Sequence, residues 1–249
     1  MSIKSKYIEP KFKKKTNPKV GLLALSTDLT IESDFQSICQ KLPFDLFINR
    51  IHNENPLTKE NLLKMYDQIE TVTEKILPGQ KVNTVAYACT SGTIAIGEDK
   101  VKEKVQLAKP DCYVTNPISS AIKAFKEMDV KKIALFTPYP ESVNKTILEY
   151  FNRKNINIIS FSTFNIDLDE DIASVDPKYL LEILINLNIN DADALFISCT
   201  ALPALEILDK VEKKINKIVL SSNQTLIWDT LRSIGYKLPI EGYGKLLRN

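Results

Sequence analysis

Apolar residues along this chain fall into two alternating patterns. Short continuous runs mark buried strands, and stripes spaced three and four apart mark amphipathic helices. Lys19–Leu25 is the first run, and Ser26-Thr27-Asp28 supplies turn and cap residues for a helix over Ile31–Gln40. Asp45–Arg50 reads as a second strand. Thr58 then caps a helix whose Leu62, Tyr66, Ile69 and Ile76 share one face, and Pro78-Gly79 stops it. A strand leading to Cys89 comes next, followed by a helix from about Ile94, a short strand Cys112–Thr115 and a helix over Ser119–Met128.

The second half repeats this order. Lys132–Thr137 is a strand, Pro138-Tyr139-Pro140 turns the chain, and Ser142 is the expected cap of the next helix. After the strand Ile156–Phe161, the polar residues 162–175 form the longest loop, a candidate lid or rim. Asp176-Pro177 opens a helix in cap-then-proline order. A strand then leads to Cys199, and a helix with Leu205, Leu208 and Val211 inward follows. The strand Lys217–Leu220 and a helix capped by Ser221-Ser222-Asn223, ending near Gly235, complete the pattern. About eight strands separated by helices imply α/β architecture with parallel sheets and crossovers. We expect two flavodoxin-like halves with the site in the cleft between them, outside the carboxyl ends of the strands. The expected division is a basic arm over 1–18, a first half over 19–116 completed by 223–249, and a second half over 117–222.

Two stretches stand out at such strand ends. Val85-Ala86-Tyr87-Ala88-Cys89-Thr90-Ser91-Gly92-Thr93 and Leu195-Phe196-Ile197-Ser198-Cys199-Thr200-Ala201-Leu202-Pro203 each read as a buried strand closing on Cys-Thr. A lone cysteine is most often core packing, but the matched pair points to two facing thiols. A helix N-terminus after each cysteine is expected to favour its thiolate, and the same N–H groups and hydroxyls suit a carboxylate.

Composition narrows the possibilities. The 249 residues carry a net charge of +2, with 44% hydrophobic and 26% charged residues, an ordinary globular balance. Seven of the 33 basic residues lie in residues 1–19 beside one glutamate, so the remainder holds 26 basic against 30 acidic residues, a net −4. That charge argues against nucleic-acid binding by the body of the protein, and the lysine-rich start reads as a solvated arm. No run approaches the roughly eighteen apolar residues of a membrane span and no secretory h-region is present, so a cytoplasmic protein is expected. Four cysteines without CxxC spacing favour neither a disulfide framework nor a zinc site, and the one histidine, His52, reads as a polar loop residue. GxGxxG, GxxxxGK[ST] and GxSxG are absent, so no metal and no cofactor are expected.

Beyond the two cysteine stretches, Thr137-Pro138-Tyr139, Ser221-Ser222-Asn223-Gln224 with Trp228, and Gly242-Tyr243-Gly244-Lys245-Leu246 complete a pattern over residues 19–247. Together these motifs resemble the maleate cis-trans isomerase and arylmalonate decarboxylase family of the aspartate/glutamate racemase superfamily. The resemblance implies a cofactor-independent enzyme with four-stranded halves related by a pseudo-twofold. It makes Cys89 and Cys199 the catalytic thiols and puts Thr90, Ser91, Tyr139, Thr200 and Ala201 on the substrate carboxylate. Arylmalonate decarboxylases have glycine where Cys89 stands, so two cysteines fit an isomerase or racemase better. Maleate isomerases carry Asn in a Ser-Ser-Asn-Thr-Thr loop, whereas this chain has Ser26-Thr27-Asp28-Leu29-Thr30. The stretch Ala24–Phe35 is closer to the ectoine-utilisation protein A branch, and Ser26 and Asp28 join the expected binding residues. Asp28 suits either a helix cap or a substrate's cationic nitrogen. The expected partners are a small carboxylate and further copies of the chain in a dimer or tetramer, with no nucleic acid and no membrane. A small-molecule binding module and a thiol-redox protein are the other classes, but a binding cleft has no need of paired thiols, and neither cysteine sits in CxxC.

Overall fold

Continuous apolar runs of the kind seen here can bury both faces of a strand, and in the computed structural model they do. The structure describes residues 6–249, so the first five positions of the expected basic arm lie outside it; residues 6–17 are exposed and without regular structure. The first sheet holds β1 (Lys19–Leu25), β2 (Asp45–Ile51), β3 (Thr84–Tyr87) and β4 (Tyr113–Thr115), in the order β2-β1-β3-β4. The second holds β5 (Lys132–Thr137), β6 (Asn157–Thr163), β7 (Ala194–Ile197) and β8 (Ile218–Ser221), in the order β6-β5-β7-β8. Every pairing is parallel. The orders match, so β1 corresponds to β5 and β3 to β7. These four central strands are buried almost end to end, while β2 and β6 at the edges are half-buried. Such burial is the mark of parallel sheets covered on both faces.

Helices α1 (Ile31–Cys39), α2 (Lys59–Lys64), α3 (Tyr66–Glu74), α4 (Thr90–Ile96), α5 (Glu98–Ala108) and α6 (Pro117–Glu127) precede β5 in the chain. After it come α7 (Glu141–Arg153), α8 (Asp169–Ala173), α9 (Pro177–Ile185), α10 (Leu208–Ile215), α11 (Ser222–Ser233) and α12 (Lys245–Arg248). None among the described residues is long and apolar enough to cross a membrane.

Several boundaries differ from the sequence expectation. Helix α4 begins at Thr90 rather than near Ile94, because Cys89 itself caps it: the sulfur accepts the Gly92 N–H at 3.2 Å. Gly97 then breaks the helical run with φ +102°, a conformation open to glycine and strained for other residues, and α5 starts afresh. Ser142 lies inside the first turn of α7, since Pro140 is extended (φ −66°, ψ 162°) and the helix opens directly behind it. The helix expected from Thr58 is divided between α2 and α3, although Met65 between them keeps helical dihedrals. The long polar loop 162–175 contains α8, whose first turn holds Asp169, Glu170 and Asp171, the charge a helix N-terminus favours.

Two helices couple the sheets. α11 follows β8 of the second sheet yet packs on β3, β4 and α6. α6 follows β4 of the first sheet, yet its Phe125 meets Phe196 of β7 edge-on at 5.3 Å between centroids. Asp229 of α11 fixes this crossing, because its Oδ2 accepts from Thr115 (2.5 Å), Ser120 (3.1 Å) and Lys123 (2.8 Å), and its Oδ1 from the Tyr113 hydroxyl (2.9 Å). Replacing Asp229 by Ala leaves one hydroxyl of the buried Thr115–Ser120 pair without an acceptor and the Lys123 ammonium without its carboxylate. The expected loss is about 1–3 kcal/mol of unfolding free energy, read as a lower denaturation midpoint at unchanged m-value.

Candidate active site

The central strands of both sheets deliver their next residues to one place. Asp28 lies three residues past β1, and Cys89, Tyr139 and Cys199 lie two past β3, β5 and β7. All four are buried, at 1%, 2%, 2% and 4% exposure. The segments touch directly: the Thr200 hydroxyl donates to the Ala88 carbonyl at 3.4 Å, and Thr30 of the β1–α1 connection donates to the Ala201 carbonyl at 2.7 Å. Tyr139 lies within electrostatic reach of both cysteines, Cys199 the more strongly. Its backbone is clamped, with the carbonyl accepting from Asn144 at 2.6 Å and from Thr163 at 2.9 Å.

The other expected binding residues divide into two groups. Thr90, Ser91, Thr200 and Ala201 are buried beside the cysteines. Thr90 shares a 3.0 Å hydrogen bond with Ser222 at the start of α11, and the Ser91 hydroxyl lies 3.8 Å from the Cys89 sulfur. Ser26 is not gathered in: it is exposed, and its hydroxyl donates to the Ile51 carbonyl at 3.1 Å, closing the β1–β2 end instead. His52 is likewise exposed.

Burial controls the protonation of the cluster. It pushes the Cys89 thiol up to about 12, with Asp169 and Asp28 adding repulsion and the Gly92 N–H and Ser91 hydroxyl opposing it. Cys199 is raised for the same first reason, against the Tyr139 hydroxyl and the Ala201 N–H. This corrects the expectation of favoured thiolates, because desolvation outweighs the short α4 N-terminus. For Cys199 that helix is missing as well: residues 200–204 are irregular and a three-residue 3₁₀ turn, Leu205–Ile207, comes next. Tyr139 is held well above its ordinary value by burial and then by the Cys199 charge.

Asp169 and Asn53 reach the cluster without any signal in the sequence, joined by Thr27 and Asn223, which the sequence marks only as turn, cap or motif residues. Asp169 of α8 is 4% exposed, and its Oδ2 accepts from the Thr27 hydroxyl (2.7 Å) and the Asn53 amide (2.9 Å). The Asn53 amide also donates to the Thr27 hydroxyl at 2.7 Å. The polar loop read as a rim therefore supplies a buried carboxylate within electrostatic reach of Cys89, Cys199 and Tyr139. Asn223, at the start of α11, bridges Asp34 (2.7 Å) and the Thr200 carbonyl (2.8 Å). Among the described residues no group of three or more His, Cys, Asp or Glu side chains is arranged to hold a metal.

Known proteins share this fold. The family model described as arylmalonate decarboxylase matches residues 57–247. A maleate isomerase of Geobacillus stearothermophilus is 26% identical over 245 residues, spanning 92% of this chain and 96% of that protein. Among solved structures, a cysteine-to-alanine variant of the maleate isomerase Iso from Pseudomonas putida S16, with maleate, aligns at TM-score 0.86 and 20% identity over 94% of this chain and 98% of its own. A cysteine-to-serine mutant of the Nocardia farcinica maleate cis-trans isomerase, with a covalently bound succinylcysteine intermediate, aligns at TM-score 0.85 and 20% identity over 94% and 99%. With two parallel sheets of one topology, a cysteine past each of two matching strands, and a family match over most of its length, the chain belongs to the maleate isomerase and arylmalonate decarboxylase family.

Proposed function

We propose that this enzyme is a cofactor-independent isomerase or racemase of a small carboxylic acid, with Cys89 and Cys199 as its acid–base pair. The observation that carries the reading is the matched placing of the two thiols, each buried and two residues past the corresponding central strands β3 and β7. One sulfur, as thiolate, takes the proton from the carbon beside the carboxylate, and the other thiol returns a proton to that carbon. The enediolate formed between these steps needs donors already in position. Tyr139, Thr90, Ser91, Thr200 and the Ala201 N–H take that role in the proposal.

A second reading is favoured by the likeness to maleate isomerases. In it the thiolate adds to a carbon–carbon double bond, the adduct rotates about the resulting single bond, and the carbon–sulfur bond breaks to release the thiolate. Both routes begin with a thiolate that burial makes scarce. In this proposal deprotonation accompanies substrate entry, because burial disfavours the thiolate in the free enzyme. The finer assignment, a substrate from ectoine or hydroxyectoine breakdown, is supported by the Ala24–Phe35 stretch and the carboxylate of Asp28.

Cys89→Ser and Cys199→Ser are each expected to lower kcat by at least ~10²-fold while circular dichroism and melting stay those of the parent. Turnover can be followed by deuterium uptake from D2O or by isomerised product. Activity within about tenfold of the parent in either variant would sink the two-thiol mechanism. Cys39 and Cys112, buried in α1 and before β4, serve as controls and should tolerate Ser with little kinetic effect.

Iodoacetamide tests the protonation state. Because burial raises both thiols, the free enzyme should be alkylated slowly at pH 7–8, with a rate that keeps rising with pH instead of levelling near the ordinary value of 9. Rapid modification of Cys89 or Cys199 at pH 7 would show a standing thiolate and contradict that picture.

A further inference from the structure

We propose that Asp28 and Asp169 form a receptor for a cationic nitrogen beside the two thiols, so that the enzyme's carboxylate substrate also carries a protonated amine. The word substrate rests on the isomerase reading; the receptor itself rests on the side chains.

Asp28 has more acceptor than its helix needs. Its Oδ1 accepts the N–H groups of Thr30 (2.8 Å) and Ile31 (2.9 Å), which is a complete cap. Its Oδ2 is buried with no hydrogen-bond partner. The Thr200 hydroxyl lies near enough to favour the carboxylate form, but its bond is directed to the Ala88 carbonyl. A buried carboxylate with a bare oxygen is costly unless it is protonated or paired.

Among the described residues no cation meets that oxygen. Arg50 is the basic group that acts on Asp28, yet its Nη1 donates to the backbone carbonyls of Leu25, Ser26 and Asp28 at 3.0–3.1 Å, and its Nε to Glu32 at 2.8 Å. Asp169, from the opposite half of the chain, repels Asp28 and adds a second buried negative group. Each carboxylate is raised by burial first, and each is relieved by a positive charge placed between them.

The surroundings carry the same sign. A surface depression bordering the cluster at Thr30, Ala173 and Pro203 is lined by Asp34 and Glu206 and by no lysine or arginine. Since no three metal-ligating side chains gather among the described residues, the charge chemistry fits an organic ammonium rather than a metal ion. A plain dicarboxylate would instead add its own negative charges to those of Asp28 and Asp169.

Calorimetric binding to the intact protein tests this directly. The probes are aspartate, diaminobutyrate and ornithine, set against their counterparts without an amine, succinate, butyrate and pentanoate. A charge-assisted hydrogen bond should favour the amino acids about ten- to a hundredfold. Asp28→Asn and Asp169→Asn, which keep the cap and the Thr27 and Asn53 contacts, should each erase most of that preference. Tighter binding of the plain acids, unchanged in both variants, would overturn the receptor and leave the aspartates as protonated donors to a carboxylate. Should an Asn variant fail to fold, the wild-type ranking of the probes decides alone. The same ranking in Cys89→Ser separates the two proposals: selectivity kept without turnover supports the receptor whatever the fate of the isomerase reading, and turnover without selectivity overturns the receptor alone.

Discussion

Removing water from ionisable groups is the constraint on which this structure turns. Asp28, Cys89, Tyr139, Asp169 and Cys199 are drawn into one nearly inaccessible volume, and burial is the first cause of every protonation shift among them. In water each group would titrate near its ordinary value and the pairwise effects would be small. In the seam between the sheets, one hydrogen bond or one charge changes the state of its neighbours.

The scaffold makes that seam by repetition. Two sheets of the same order each direct two central strands at it, and short connections fix the position of the residues just past each strand. Around it the side chains are held by polar crossings rather than by apolar contact alone. Asp229 fastens α11 to β4 and α6, Asn223 ties α11 to the Thr200 turn, and Asn144 with Thr163 holds Tyr139. Gly92 is part of the same fit, because a Cβ there would come within 2.8 Å of the Cys89 sulfur and 2.6 Å of Met65 Cε. The α4 backbone can approach the thiol only where that atom is absent.

Much of the fold is legible in the residues because buried parallel strands are written as unbroken apolar runs. Lys19–Leu25 and Lys132–Thr137 coincide with β1 and β5 for that reason, whereas the edge strand β6 runs on to Thr163 through alternating residues. The start of α4 escapes a reading of the residues because its cap is a cysteine, outside the Ser, Thr, Asp and Asn that ordinarily mark a helix start. Thr27, Asn53 and Asp169 have no periodicity to betray them; single polar residues outside the regular apolar pattern, they meet across separations of 116 and 142 residues. The protonation of the thiols departs from expectation because a helix start can be read from sequence, while the depth at which a side chain ends up cannot.

Deep enclosure of the sulfurs also bears on how the molecule ages. Oxidation of cysteine to sulfenic and higher acids follows thiolate character and access to peroxide. Here Cys89 and Cys199 are 2% and 4% exposed and Cys39 and Cys112 are buried as well. An idle molecule is therefore shielded from such damage, and its vulnerable moments are those in which the seam opens.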